Sequence, residues 1–289
     1  MRLGNLDNLT FLDKLFSMRN SVILLFGSLV VALLLLLFAA GVNEATSLEL
    51  RDKIIKIDAY LSVFESSSDK DIRQREMGKV DSLLAIIEKE DMGTIPYYRA
   101  LGKTMILKGK ILEAYNALLT ARDKDRGLNT YQDLDRLTFL AALYFSNSLL
   151  NQNATMEAGQ VIDYGLSIVP NNDQLMNNKA LYFKQLNIMD SALVYFNKAY
   201  NINPKNQQTK KNFFIHLIQL GDQATVKKNY NVALNMYTTA EKLDSKNPSL
   251  LLQIGKIFQL AGSSDKANEY YKKVLAIDPN NEIAKSSIR

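Results

Sequence analysis

Catalysis at neutral pH needs ionisable or nucleophilic side chains within reach of one another, and this chain of 289 residues offers few. It holds one histidine, His216, and no cysteine. A lone imidazole has no second ring or thiolate with which to share a metal, and no thiol to activate. Without cysteine there is neither a disulfide framework nor a thiolate centre, and the redox compartment is left open. Leu101-Gly102-Lys103-Thr104 has the Gly-Lys-Thr end of a phosphate loop but lacks the upstream glycine that lets the backbone wrap a phosphate. The carboxylates are spread along helix faces. These residues predict that the chain is not an enzyme and that it takes no metal, no cofactor and no small-molecule substrate. The net charge of +5 and pI of about 9.1 would suit a polyanion, but the 35 basic residues are dispersed among 30 acidic ones, so nucleic acid is not an expected partner.

The elements that must position any remaining chemistry are helices. From Pro248 to Asn281, Leu251, Ile254, Gly255 and Phe258 fall on one stripe of a helix running to about Ala261, and Gly262 breaks it. Asp265 opens a second run with Ala267, Tyr271, Val274 and Leu275 on one face, closed at Asp278-Pro279 because proline disfavours helical geometry at the residue before it. Gly255 and Ala267 let the two backbones approach, while Phe258 and Tyr271 fill the space beside the crossing. A single hairpin cannot bury its own apolar face, so neighbours are required.

They recur at a step of 34 residues. Residues 173–206 give Ala180, Phe183, Ala192, Phe196, Ala199 and Pro204 at the matching places. Residues 214–247 give Leu220-Gly221, Tyr230, Ala233, Tyr237 and Ala240, with Ser245 in the proline position. Residues 139–172 give Phe145-Ser146, Ala158, Ile162, Gly165 and Pro170, and residues 95–128 give Tyr98, Leu101-Gly102, Gly109, Ala114, Leu118 and Ala121. Gln207–Phe213 and Asn129–Thr138 interrupt the period and are expected to lengthen helices. This pattern resembles the tetratricopeptide repeat, the helix-turn-helix unit of α-solenoids. The expected fold class is all-α: a solenoid over 95–281 with repeats 95–128, 139–172, 173–206, 214–247 and 248–281, preceded by a single transmembrane helix.

The resemblance implies a binding surface. In that family the first helices line a concave groove, and side chains at set positions beyond each repeat's start face a bound peptide or helix. Here those positions carry Arg99, Lys103, Tyr144, Asn147, Gln174, Asn177, Asn178, Leu181, Gln253 and Lys256. The amides and cations could hydrogen-bond an extended peptide of acidic character. Chaperone-binding members hold a terminal carboxylate with basic and asparagine residues. Arg99, Lys103 and Asn178 imitate that set only in part.

Ahead of the repeats, residues 1–20 place Leu6, Leu9, Leu12 and Phe16 on one helical stripe, which could lie flat on a bilayer or form a frayed terminus. The segment 21–42 is predicted to span a membrane. From Val22 to Val42 there is no charge, and these 21 residues would extend roughly 31 Å as a helix, about the hydrocarbon thickness of a bilayer. Ala39-Ala40-Gly41 would suit signal cleavage, the competing reading. Arg19 lies close before the span, whereas the first charges after it are Glu44 and Glu49, so the amino terminus is expected in the cytoplasm and the solenoid in the periplasm or outside. In the linker 43–94, Leu48–Phe64 and Asp71–Lys89 read as helices separated by Ser66-Ser67-Ser68-Asp69, a degenerate capping hairpin. Residues 282–289 begin a helix covering the last repeat. The expected function is a membrane-anchored scaffold holding protein or peptide partners at the cell envelope, in assembly or maturation of a complex. Two alternatives stand: an accessory subunit of a translocase or secretion machine, and a soluble periplasmic or secreted protein after cleavage.

Overall fold

A computed structural model describes residues 48–91, 93–126 and 131–288. The predicted span and the amphipathic segment before it lie outside these residues, and no helix among those described is long and apolar enough to cross a membrane. Every regular element described is an α-helix. The chain divides into two compact units, 1–104 and 105–289, with the boundary inside the first expected repeat.

In the first unit, α1 (48–66) and α2 (Lys70–Asp91) run antiparallel. The turn uses the serine-rich stretch: Asp69 Oδ1 accepts from Asp71 N at 2.8 Å and from Ile72 N at 3.2 Å, capping α2. Leu50, Ile54, Ile57 and Leu61 of α1 and Val80, Leu84 and Ile87 of α2 are buried. Arg73 lies 4.3 Å above the Phe64 ring, and Lys53 pairs with Glu90. The third helix, α3 (Ile95–Leu107), starts in this unit and crosses the boundary.

The second unit is a succession of helices: α4 (Ile111–Asp125), α5 (Leu134–Asn151), α6 (Thr155–Ile168), α7 (Asp173–Gln185), α8 (Met189–Ile202), α9 (Gln207–Val226), α10 (Tyr230–Leu243), α11 (Pro248–Leu260), α12 (Ser264–Ile277) and α13 (Glu282–Ser287). Extensive packing joins helices one apart in the chain, with further contacts of α5 with α7 and of α7 with α9. No such contact brings the ends of the series together among the described residues, so this unit is a solenoid and not a bundle closed on one centre. Its core is accordingly a row of clusters: one around Ala142, Ala158 and Ile162, one running from Ala180 through Phe196, Leu217 and Tyr237 to Ile254, and one around Leu251, Tyr271 and Ala284.

Small residues meet large ones where the sequence places them. An added Cβ on Gly255 would come within 2.7 Å of the Tyr271 ring, and one on Gly221 would overlap the ring of Tyr237. These fully buried rings therefore rest directly on glycine backbone of the facing helix. Their hydroxyls are satisfied, with Tyr237 donating to Asp222 Oδ1 at 2.5 Å and Tyr271 to Gln259 Oε1 at 2.7 Å. Burial, with Asp222 alongside, pushes the Tyr237 hydroxyl up to about 12.

Both kinds of connection repeat. Within each hairpin the turn has one residue in left-handed conformation: Gly109, Asn153, Asn187, Lys228 and Gly262. The next amide reaches back five residues, as in Ile188 N to Phe183 O at 2.9 Å and Asn229 N to Ala224 O at 2.8 Å, which ties off the helix end. Between hairpins, Asn172, Asn206, Asn247 and Asn281 cap the next helix by accepting from the amides of Leu175, Thr209, Leu250 and Ala284. α9 has 20 residues where α7 and α11 have 13. It begins at Gln207, so the interrupting residues Gln207–Phe213 continue it directly. Of the described residues in Asn129–Thr138, Leu134–Thr138 belong to α5.

Candidate partner-binding surface

α5, α7 and α9 pack side by side, which sets their outer faces next to each other as a strip. Tyr144 and Asn147 of α5 and Gln174 of α7 are exposed there, and Leu181 is half-buried. Asn177 and Asn178 are turned inward. Asn178 Nδ2 donates to Ser146 Oγ at 3.0 Å, joining α7 to α5, and Asn177 Oδ1 accepts from Asn212 Nδ2 at 3.0 Å, joining α7 to α9. Both asparagines are under 7 % exposed, at 6 % and 2 %, and the hydrogen bonds shown join the stack itself. Beside them Lys179 Nζ reaches Asp163 Oδ1 at 2.6 Å and lies 4.8 Å from the Tyr182 ring centre. On α11, Lys256 is exposed and Gln253 half-buried, with its Oε1 buried and unpartnered.

Arg99 and Lys103 belong to the first unit, where both engage Asp58 of α1: Arg99 Nη1 stands 3.1 Å from one carboxylate oxygen and Lys103 Nζ 3.3 Å from the other. The carboxylate these cations hold is the chain's own. Only 10 % of the Arg99 side chain is exposed, so an incoming acid would have to displace Asp58 to reach it.

The strip also includes α9 residues outside the expected groove set, and Gln208, Lys211 and Asn212 precede Phe214, where the expected repeat begins. Gln208 and Lys211 of α9 are exposed, as is Ile215, and Gln208 Nε2 donates to Asn212 Oδ1 at 2.9 Å. An amide relay therefore runs from Gln208 through Asn212 to Asn177. The signal that would have found it is Asn206: an N-cap residue fixes the helix start at Gln207, and the offsets of Gln174, Asn177, Asn178 and Leu181 from Asp173, counted from there, fall on Gln208, Lys211, Asn212 and Ile215.

His216 is fully buried. Its Nε2 lies 3.1 Å from Met189 O, Nδ1 is unpartnered, and the Phe196 ring sits 5.1 Å away. Burial holds the imidazole below its usual value, opposed by the Met189 carbonyl bond and reinforced by the charge of Lys184. Among the described residues no group of three or more His, Asp or Glu is placed to hold a metal ion.

Packed hairpins with a layered first-helix face define a helical-repeat architecture. Residues 173–206 and 248–281 match the family model of the tetratricopeptide repeat. No curated protein matches the chain. Among solved structures, it is similar to YrrB, described as a TPR protein with an unusual peptide-binding site, at 16% identity over 71% of this chain and 96% of that one, with a TM-score of 0.44. It is also similar to MamA, at 14% identity over 64% of this chain and 92% of the other, TM-score 0.42. PilF of Pseudomonas aeruginosa matches at 15% identity over 81% of this chain and 97% of its own, TM-score 0.42.

Proposed function

We propose that the chain is a membrane-tethered scaffold whose hairpin stack holds a protein or peptide partner at the cell envelope, during assembly or maturation of a complex. The observation that carries this is the strip formed by α5, α7 and α9. It presents Tyr144, Asn147, Gln174, Gln208, Lys211 and Ile215 on one layer of directly packed helices. Amide side chains supply donors and acceptors to an extended backbone, Lys211 and Lys256 favour a ligand with carboxylates, and Tyr144 and Ile215 give apolar purchase. The tether is the uncharged stretch Val22–Val42, with the amino terminus cytoplasmic and the hairpins on the far side of the membrane. Confinement to a surface raises the effective concentration of the stack toward partners in the same membrane.

Crosslinking in intact membranes, followed by isolation of the full chain, tests the strip. A defined partner is expected with the native chain and is expected to be lost on combining Tyr144→Ala, Gln174→Ala and Lys211→Glu, with helicity unchanged by circular dichroism. A partner recovered equally well from that variant rules the strip out. A reporter active only in the cytoplasm, fused after Arg289, is expected to be silent.

A further inference from the structure

The five turns inside the hairpins share a surface chemistry as well as a geometry. Residues 108–110, 152–154, 186–188, 227–229 and 261–263 contain four lysines (Lys108, Lys110, Lys227, Lys228) and no acid, aromatic ring or arginine. The four loops that return to the next hairpin, 169–172, 203–206, 244–247 and 278–281, balance Lys205 and Lys246 with Asp244 and Asp278. Within three residues of the turns, Lys184 and Lys266 join those four lysines, against exposed Glu113 (paired with Lys110), Glu157, Asp190 and Asp265. The same margin around the return loops holds Lys205, Lys242 and Lys246 against Asp173, Glu241, Asp244, Asp278 and Glu282. The turn end is therefore net basic by two charges and the return end net acidic by two.

Short connections alternate the helix directions, which brings these turns to one edge of the second unit. Side-chain contacts show it for two of them, and a shared cavity for a third. Gln185 Nε2 donates to Leu150 O at 2.8 Å and Thr155 Oγ1 donates to Gln185 Oε1 at 3.0 Å, linking the turns after α5 and α7. Next to them a cavity of about 750 Å³ is walled by Asn187 and Ile188 on one side and by Lys227 and Asn229 on the other. It lies beside the end of α9, the helix that is two turns longer than α7.

Exposed apolar side chains gather at the same edge. Leu112, Met156, Ile188, Val226, Val232 and Leu260 all lie within three residues of such a turn, whereas Ile202, Ile277 and Ile283 are the exposed large apolar residues beside the return loops. Val226 is 83% exposed and Met156 64%, more than any of those three isoleucines. Isolated apolar side chains on a surface are ordinary. A row of them, one or two per turn and interspersed with lysines, is a different arrangement. It lacks the contiguous aromatic or arginine centre that anchors a protein interface. It matches what an anionic bilayer surface takes up: apolar tips set shallowly among the headgroups, with lysine stems lying along them and ammonium groups at the phosphates.

We infer that this turn edge rests on an anionic lipid surface. The inference deepens the tethered-scaffold reading and rests on it, since a span at Val22–Val42 would keep the stack beside a bilayer. The edge fixes which side of the stack faces the lipid, leaving the first-helix strip free for a partner.

The absence of cysteine allows a direct test. Single variants Val226→Cys, Met156→Cys and Ser245→Cys in the full chain are labelled with a polarity-sensitive dye. Each is reconstituted in phosphatidylcholine vesicles with and without phosphatidylserine. The labels at 226 and 156 are expected to shift to the blue and to lose quenching by aqueous iodide in the anionic vesicles, with a smaller response in neutral ones. The label at 245, on a return loop, is expected to stay fully quenched, and adding Lys227→Glu is expected to reverse the shift at 226. Edge labels as open to iodide in anionic vesicles as in detergent solution overturn the inference. Labels already shielded in detergent overturn it too, assigning the edge to contact between copies. Alkaline carbonate extraction of the same vesicles reads the tether separately: release of the chain sinks the span, while the dye response still decides the edge.

Discussion

His216 shows what a fully buried imidazole does at the centre of an apolar cluster. With Nε2 at Met189 O and Nδ1 unpartnered, protonating the ring would place a cation among Phe196 and the surrounding apolar atoms. Burial lowers its folded pKa below the ordinary value of about 6.5. The unfolded chain then binds a proton in a pH range where the folded chain does not, so this group's contribution is complete above about pH 6.5 and is lost as pH falls from there toward the lowered value. The hairpins beside it carry leucine at the corresponding core positions, Leu175 and Leu250, both buried. His216→Leu should fold, and it should remove the part of the acid dependence that lies just below pH 6.5. Urea unfolding of both forms between pH 5 and pH 8, conditions set around that reference value, makes the comparison. A variant with the native slope would show that the imidazole is not responsible.

At the scale of elements, the return loops offer a matched set. The residue ending the second helix of each of the last four hairpins has nearly the same backbone: Val169 at φ −128°, Asn203 at −142°, Asp244 at −144° and Asp278 at −125°. Three are followed by Pro170, Pro204 and Pro279, which forbid helix at the preceding residue; α10 reaches the same exit with Ser245. Ser245→Pro therefore imposes a conformation already adopted and removes freedom mainly from the unfolded chain. The expected gain is about 0.5–1 kcal/mol, a rise of about 2 °C in melting temperature for a unit of this size. A lowered melting temperature would mean that the loop after α10 differs from the other three. The same comparison explains what was legible. Glycine against tyrosine, alanine at the crossings and proline after the hairpin recur at fixed spacing because each hairpin solves the same packing problem, so residues alone revealed the pairs. The turns were less legible, since the left-handed position is filled by glycine twice in its own right but also by Asn153, Asn187 and Lys228. Gln208, Lys211 and Asn212 of the α9 face were missed because the expected repeat starts at Phe214, when the physical start of that helix is the cap at Asn206. The hold of Arg99 and Lys103 on Asp58 had no local signal, because it joins residues 41 and 45 positions apart.

At the scale of the second unit, stability should pass from neighbour to neighbour. Its core is a row of clusters, and Ala284 of α13 is buried against the α11–α12 pair and not against anything earlier in the chain. Such an array is held by the sum of local hairpin stability and adjacent interfaces, so damage in one hairpin need not spread evenly. Gly255→Ala tests this. Its Cβ would stand 2.7 Å from the ring of fully buried Tyr271, which cannot move without disturbing Val274 and Ala267 packed around it. Overpacking of this kind costs about 1–3 kcal/mol, and the better helix propensity of alanine returns about 1 kcal/mol, so net destabilisation is expected. In a closed bundle that loss would appear at every amide. In the stack, hydrogen exchange followed by mass spectrometry should show it in α11, α12 and α13, fading through α10 and leaving α5 and α6 at native protection. Uniform loss from α5 to α13 would mean that the hairpins unfold as one cooperative body, and that the order of clusters along the chain does not set the order in which they open.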